Sequence, residues 1–230
     1  MRDIISIKVL SLGEQAANCY IIWSKKSGQG FVIDPADSGD IISQFLLDEK
    51  IALKGILLTH GHFDHLLALL ELQLNFPVPT YMHADDQFLV TRAQTTAVHF
   101  LGRAVDPIPP ITNDLVDAQR FTLGEATVSV LHTPGHTPGS VCFMLESEKG
   151  SIEIDGETVV GGKILFTGDT LFSYGIEPLT HSYSNALKLS ASLKKIRMLG
   201  KNILIFPGHG EISTIDDSIH QSKSSNNNVF

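Results

Sequence analysis

At 230 residues the chain is long enough to bury a sizeable core, and 43% hydrophobic with 18% charged residues is a soluble globular balance, not a disordered or fibrous one. A net charge of −8 argues against a basic nucleic-acid surface, and no apolar run approaches the ~20 residues of a membrane span. Cys19 and Cys142 alone build no disulfide framework, and Met1-Arg2-Asp3-Ile4-Ile5 lacks the features of a signal peptide, so a cytoplasmic setting without membrane or nucleic-acid partners is expected.

Residues 4–10, 19–23 and 31–33 read as strands, the third stopped by Asp34-Pro35. Asp34 has two readings at this point: it hydrogen-bonds a neighbouring loop, or it only ends the strand. Residues 38–49 read as a helix with Ser38 as N-cap and Ile41, Ile42, Phe45 and Leu46 as its apolar stripe. A buried strand over 55–59 delivers His60, and a helix over 66–75 is stopped by Pro77. Residues 85–102 are mostly helical. The irregular, proline-containing stretch 103–115 is long enough to border a functional site.

Strands follow at 127–131, leading toward His136, and at 141–145. The turn-rich stretch 146–162, with Asp155-Gly156 and Gly161-Gly162, reads as a hairpin excursion. Residues 163–167 form the strand before Asp169, 184–199 an amphipathic helix on Leu189, Leu193 and Ile196, and 203–206 the strand before His209. Alternating strands and helices without a linker predict one α/β domain over residues 1–221, with a disordered Ser/Asn-rich tail over 222–230.

Five of the ten histidines fall into one pattern: His60-Gly61-His62-Phe63-Asp64-His65, then His136, then His209, with Asp169 in Gly168-Asp169-Thr170-Leu171-Phe172. On a helix His60 and His62 would diverge by about 200°, but on a tight loop after a strand they converge. Five imidazoles and two carboxylates suffice for two divalent ions, zinc first, with iron or manganese as alternatives. The expected division is His60, His62 and His136 on one ion and Asp64, His65 and His209 on the other. The carboxylate of Asp169 bridges ions roughly 3.5–4 Å apart. Asp64 and Asp169 are thereby the catalytic carboxylates as well as ligands. A bound zinc brings the pKa of its water to about 7, so no Ser or Cys nucleophile is required. His83, His99, His132, His181 and His220 read as surface or satisfied polar residues. Two of them have an alternative: His132 orienting a ligand ring, and His181 facing a substrate.

These motifs resemble the metallo-β-lactamase superfamily, in its glyoxalase II-like (hydroxyacylglutathione hydrolase) branch. The resemblance runs from about Ile5 to Ser218 and rests on Asn18-Cys19-Tyr20, Val32-Ile33-Asp34-Pro35, Thr59 to His65, His132 to Ser140, Phe166 to Phe172, and Phe206 to Glu211. It implies an αββα sandwich, two mixed β-sheets flanked by helices, with metals at one sheet edge and the same seven ligands. β-Lactamases of this fold typically carry Cys or Ser where Asp169 stands, which turns the expectation away from antibiotics. Only 21 residues follow His209, too few for the helical domain with which full-length glyoxalase II grips glutathione, and Ser173-Tyr174-Gly175-Ile176-Glu177-Pro178 departs from the family's stretch.

The expected function is hydrolysis of small acyl thioesters such as S-lactoylglutathione by a metal-bound hydroxide. A thiolate leaves without a strong general acid, and the sequence offers none. The alternatives are a mononuclear iron persulfide dioxygenase and a lactonase or ester hydrolase of the same fold. A metal-binding protein without turnover is the option outside enzymes.

Overall fold

The computed structural model describes residues 2–224 apart from 112, 149, 160 and 161. In chain order the elements are β1 (Ile4–Leu12), β2 (Ala17–Ser24), β3 (Gln29–Ile33), α1 (Gly39–Asp48), β4 (Ala52–Leu57), α2 (Leu69–Asn75), β5 (Thr80–Met82), α3 (Gln87–Leu101) and β6 (Asn113–Asp114). The second half adds β7 (Arg120–Leu123), β8 (Ala126–His132), β9 (Val141–Ser147), β10 (Ser151–Ile154), β11 (Glu157–Val159) and β12 (Gly162–Gly168). It ends with α4 (Ala186–Arg197), β13 (Leu204–Pro207), β14 (Ser213–Thr214) and α5 (Ile215–Ser224).

Eight strands form one sheet in the order β11-β10-β1-β2-β3-β4-β5-β6, and six form another, β14-β13-β12-β9-β8-β7. Both are mixed: β3 to β6 run parallel beside antiparallel β1 and β2, and parallel β12 and β13 sit beside antiparallel β7, β8 and β9.

The layering follows from period-2 alternation in strands covered on both faces. β2 is buried along its whole length. Tyr20 and Ile22 enter the core between the sheets with Phe143, Phe166 and Phe206, while Cys19, Ile21 and Trp23 pack against apolar residues of α1, α2 and α3. β9 divides in the same way, Phe143 and Leu145 inward, Cys142 and Met144 against Leu189, Leu193 and Ile196 of α4 and Ile219 of α5. The result is helix, sheet, sheet, helix. Burying each of these large side chains contributes about 1.5–3 kcal/mol, which makes the strands rigid supports for their terminal loops.

Every strand expected from the sequence is present, with ends shifted by up to three residues. Asp155 and Gly156 both take positive φ, 47° and 89°, the signature of a type I′ turn, and close the β10–β11 hairpin. β10 pairs in parallel with β1, so the excursion leaves one sheet and joins the other. Gly161 lies outside the described residues.

Other expectations are corrected. Ser38 occupies the N-cap position of α1 in a left-handed conformation, φ 56°, and its side chain caps nothing. The buried stripe of α1 is Gly39, Ile42, Ser43 and Leu46, whereas Ile41 is 48% exposed. Asp64 and His65 lie in a short 3-10 turn, Phe63–His65, and α2 starts at Leu69, later than the expected start at residue 66. β5, β6, β7, β14 and α5 were not expected; α5 is mostly polar, its apolar core contacts coming from Ile215 and Ile219 one turn apart. The boundary expected at 221/222 falls inside α5, and residues 225–230 lie outside the described residues.

Candidate metal centre

Four loops at one end of the sheets bring the seven residues together. The segment after β4 presents His60 and His62, the 3-10 turn Asp64 and His65, the β8–β9 connection His136, and the ends of β12 and β13 Asp169 and His209. Nε2 of His136 lies 3.1 Å from Nδ1 of His62. Asp169 Oδ2 lies 3.7 Å from His60 Nε2 and 3.6 Å from His136 Nε2, while its Oδ1 lies 3.6 Å from His65 Nε2. Asp64 Oδ2 is 3.1 Å from His209 Nε2 and 3.7 Å from His65 Nε2. Ligand atoms of His60, His62, His136 and Asp169 therefore form one group, and those of Asp64, His65 and His209 another.

Each ring except that of His136 has an outer partner that settles which nitrogen faces inward. Asp34, φ 49° and buried, accepts from Thr59 N–H at 2.7 Å and Thr59 Oγ1 at 2.6 Å, and from His65 Nδ1 at 3.1 Å. His60 Nδ1 in turn donates to Thr59 Oγ1 at 3.0 Å. One carboxylate thus turns Nε2 of both His60 and His65 toward the centre, deciding the open question about Asp34 in favour of the ligand loop. His209 Nδ1 donates to the Gln15 carbonyl at 3.1 Å, and His62 Nε2 meets Tyr183 Oη at 2.8 Å, leaving Nδ1 of His62 inward.

Burial and the neighbouring imidazoles hold His60 and His136 well below the usual histidine range, and burial brings His62 down to about 4. At neutral pH these rings carry free lone pairs. Burial also opposes protonation of His65, but Asp64, Asp169 and Asp34 together push it up to about 10. Burial raises Asp169 to about 6 against the pull of His65 and His209. Three buried atoms in the cluster have no hydrogen-bond partner: His60 Nε2, His65 Nε2 and Asp169 Oδ1. Such an atom costs about 1–3 kcal/mol when left unsatisfied. All three face the shared space, and a divalent cation fits this mixed imidazole and carboxylate set.

Sequence reasoning missed what fastens the loops. Asp86, fully buried, accepts from Gly61 N–H at 3.0 Å, Thr137 Oγ1 at 2.7 Å and Gly139 N–H at 2.6 Å, tying the His60–His62 loop to the His136 loop. Asn18 Nδ2 donates to the carbonyls of Pro207, 3.0 Å, and Gly210, 2.9 Å, and so pins the turn bearing His209. Gly208 packs so closely that a Cβ there would strike Asp169 Oδ1 and His65 Cε1. Glycine between Pro207 and His209 was the available signal; Asp86 gave none.

His181 lines the cleft beside the centre, its ring 5.2 Å from that of His62. His132 orients no ligand ring: its Nε2 donates to the Pro138 carbonyl and its ring stacks on His83 at 4.2 Å. The described residues of the 103–115 stretch do not border the site. Arg103 pairs with Glu14 and Asp37, Val105, Ile108 and Ile111 pack on the helix-side core, and none of its described residues lines the cleft.

Asp34→Ala is expected to lower metal affinity about 10–100-fold, because two rings lose their orienting partner. Titration against a competing chelator reads this, and an unchanged affinity would remove Asp34 from the centre.

The sequence profile of the metallo-beta-lactamase superfamily matches residues 12–150. Hydroxyacylglutathione hydrolase GloC of Haemophilus influenzae is 30% identical over 224 residues, covering 96% of this chain and 97% of its own. The structure of BLEG-1 B3 metallo-beta-lactamase superposes with TM-score 0.78 at 28% identity, covering 93% of this chain and 96% of its own. TTHA1623 in a di-iron-bound form superposes with TM-score 0.75 at 28% identity, covering 91% and 95%. With this fold and this cluster of side chains, the chain belongs to the metallo-beta-lactamase superfamily, in its glyoxalase II-like branch, and is a metal-dependent hydrolase.

Proposed function

We propose that the chain hydrolyses small acyl thioesters, S-lactoylglutathione being the reference case, with two divalent ions. His60, His62 and His136 would hold one, Asp64, His65 and His209 the other, and Asp169 would bridge them. The observation that carries this reading is the set of unpartnered buried atoms, His60 Nε2, His65 Nε2 and Asp169 Oδ1, within one cluster of ligand-type side chains. Bound ions supply hydroxide near neutral pH and positive charge for an oxygen that becomes anionic.

The rest falls to the chain's own residues. Neither thiol is a nucleophile: Cys19 and Cys142 are buried, and burial pushes both up, Cys142 to about 11. Tyr183 Oη, beside His62, is pushed up by burial to about 12 and is a weak acid for a leaving group. A thiolate, whose parent thiol has a pKa near 8.5, leaves without one, whereas an amine would not. The name of the Haemophilus influenzae relative supports the same substrate class. Two unpaired thiols support a cytoplasmic setting, and no described helix is long and apolar enough to cross a membrane.

Zinc suits the ligand set; iron is a second reading of the metal, supported by the di-iron-bound form of TTHA1623. Elemental content of protein purified without added metal, read beside hydrolysis of S-lactoylglutathione, a lactone and a β-lactam, tests both. Near two ions per chain with thioester turnover is expected. About one iron, no hydrolysis, and oxygen uptake with glutathione persulfide would move the chain to dioxygenase chemistry.

A further inference from the structure

The metal centre opens into a cleft of about 380 Å³ between α3 and the segment bearing His181 and Tyr183. Next to the centre the α3 wall is apolar, formed by Leu89 and Ala93, with Phe100 stacked on Phe63 at 5.8 Å. Arg92, between Leu89 and Ala93 in the sequence of α3, is the one Lys or Arg among the residues lining the cleft. No described carboxylate pairs with its guanidinium, which instead lies 5.8 Å from the Phe88 ring centroid. Arg103, by contrast, holds two carboxylates at 3.0 and 3.4 Å. Arg92 is exposed on α3, so its guanidinium is open to a ligand in the cleft.

A ladder of rings relates Arg92 to the centre. Phe88 lies 5.4 Å from the Tyr183 ring, and Tyr183 Oη lies 2.8 Å from His62 Nε2. A substrate whose acyl group sits at the centre would run its leaving half along the apolar wall and end at Arg92. A guanidinium recognises a carboxylate through paired, charge-assisted hydrogen bonds.

We propose that Arg92 anchors a carboxylate on the leaving thiol, so that the α3 cleft selects acyl thioesters of acidic thiols over those of neutral ones. This rests on the thioester reading above, which places the acyl group at the metals and the thiol in the cleft. Arg92 acts in binding and specificity, apart from the reacting atoms.

Binding of S-butyl-3-mercaptopropionic acid and of its carboxamide, neither of which can be hydrolysed, tests the anchor on the purified metal-containing protein. The acid is expected to bind about tenfold more tightly, a difference of about 1.4 kcal/mol. Arg92→Gln should abolish the preference, and Lys54→Gln, at an exposed β4 position, should preserve it. Equal affinity for acid and amide, or a preference that survives Arg92→Gln because the metals themselves bind the carboxylate, would overturn the proposal. Turnover of the matching S-acetyl thioesters is read separately. Its absence with the acid preference intact would count against the hydrolase reading and leave the anion anchor standing.

Discussion

Asp169→Ala is expected to lower the metal retained on dialysis and to lower turnover at least ~10²-fold. Asp169 is the side chain that faces both groups of ligand atoms: Oδ2 toward His60 and His136, Oδ1 toward His65. Without it, each group loses negative charge at a site where burial already disfavours every charged form. Asp169→Asn, close in shape, should fall between the wild type and Asp169→Ala, separating charge from packing. Elemental content after dialysis and the initial rate are the two readouts, with circular dichroism confirming the fold. Two retained ions and full turnover in Asp169→Ala would sink the bridging assignment.

Asp86→Ala is expected to cost about 4 kcal/mol, because it leaves the buried N–H groups of Gly61 and Gly139 without acceptors, at about 1–3 kcal/mol each, and opens a small void. For a chain of this size that corresponds to a fall in Tm of roughly 8–16 °C. Metal affinity should fall with it, since Gly61 sits between His60 and His62 and Thr137 follows His136. Burial pushes the Asp86 carboxyl up, and its three donors pull the other way, so its state depends on them. Unchanged Tm and unchanged affinity in Asp86→Ala would show that the two loops hold their shape without it.

The contrast between Asp169 and Asp86 explains what the sequence made legible. The metal-type residues stand in short motifs, three His and one Asp within six positions, so His60 to His65 could be read locally. The strands were legible because burial on both faces writes a continuous apolar run. Asp86 works between Gly61, 25 positions before it, and Thr137 and Gly139, 51 and 53 positions after it, and no local pattern records that. Asn18 acts across 189 and 192 positions, to Pro207 and Gly210. Asp34 lay between these cases: its Asp-Pro context explained a strand end equally well until Thr59 and His65 were seen on its two oxygens. Arg92 was hidden because a helix face becomes a cleft wall only once the segment bearing His181 and Tyr183 lies opposite it.

The two sheets contribute to both groups of ligand atoms. His60, His62, Asp64 and His65 follow β4 of the larger sheet, and His136, Asp169 and His209 follow strands of the smaller one. An ion held by either proposed set would therefore stitch the sandwich across its seam, closing a long chain loop as a covalent cross-link does. With both thiols buried and unpaired, that fastening would fall to bound metal, and demetallation should then loosen the whole sandwich as well as silence the site.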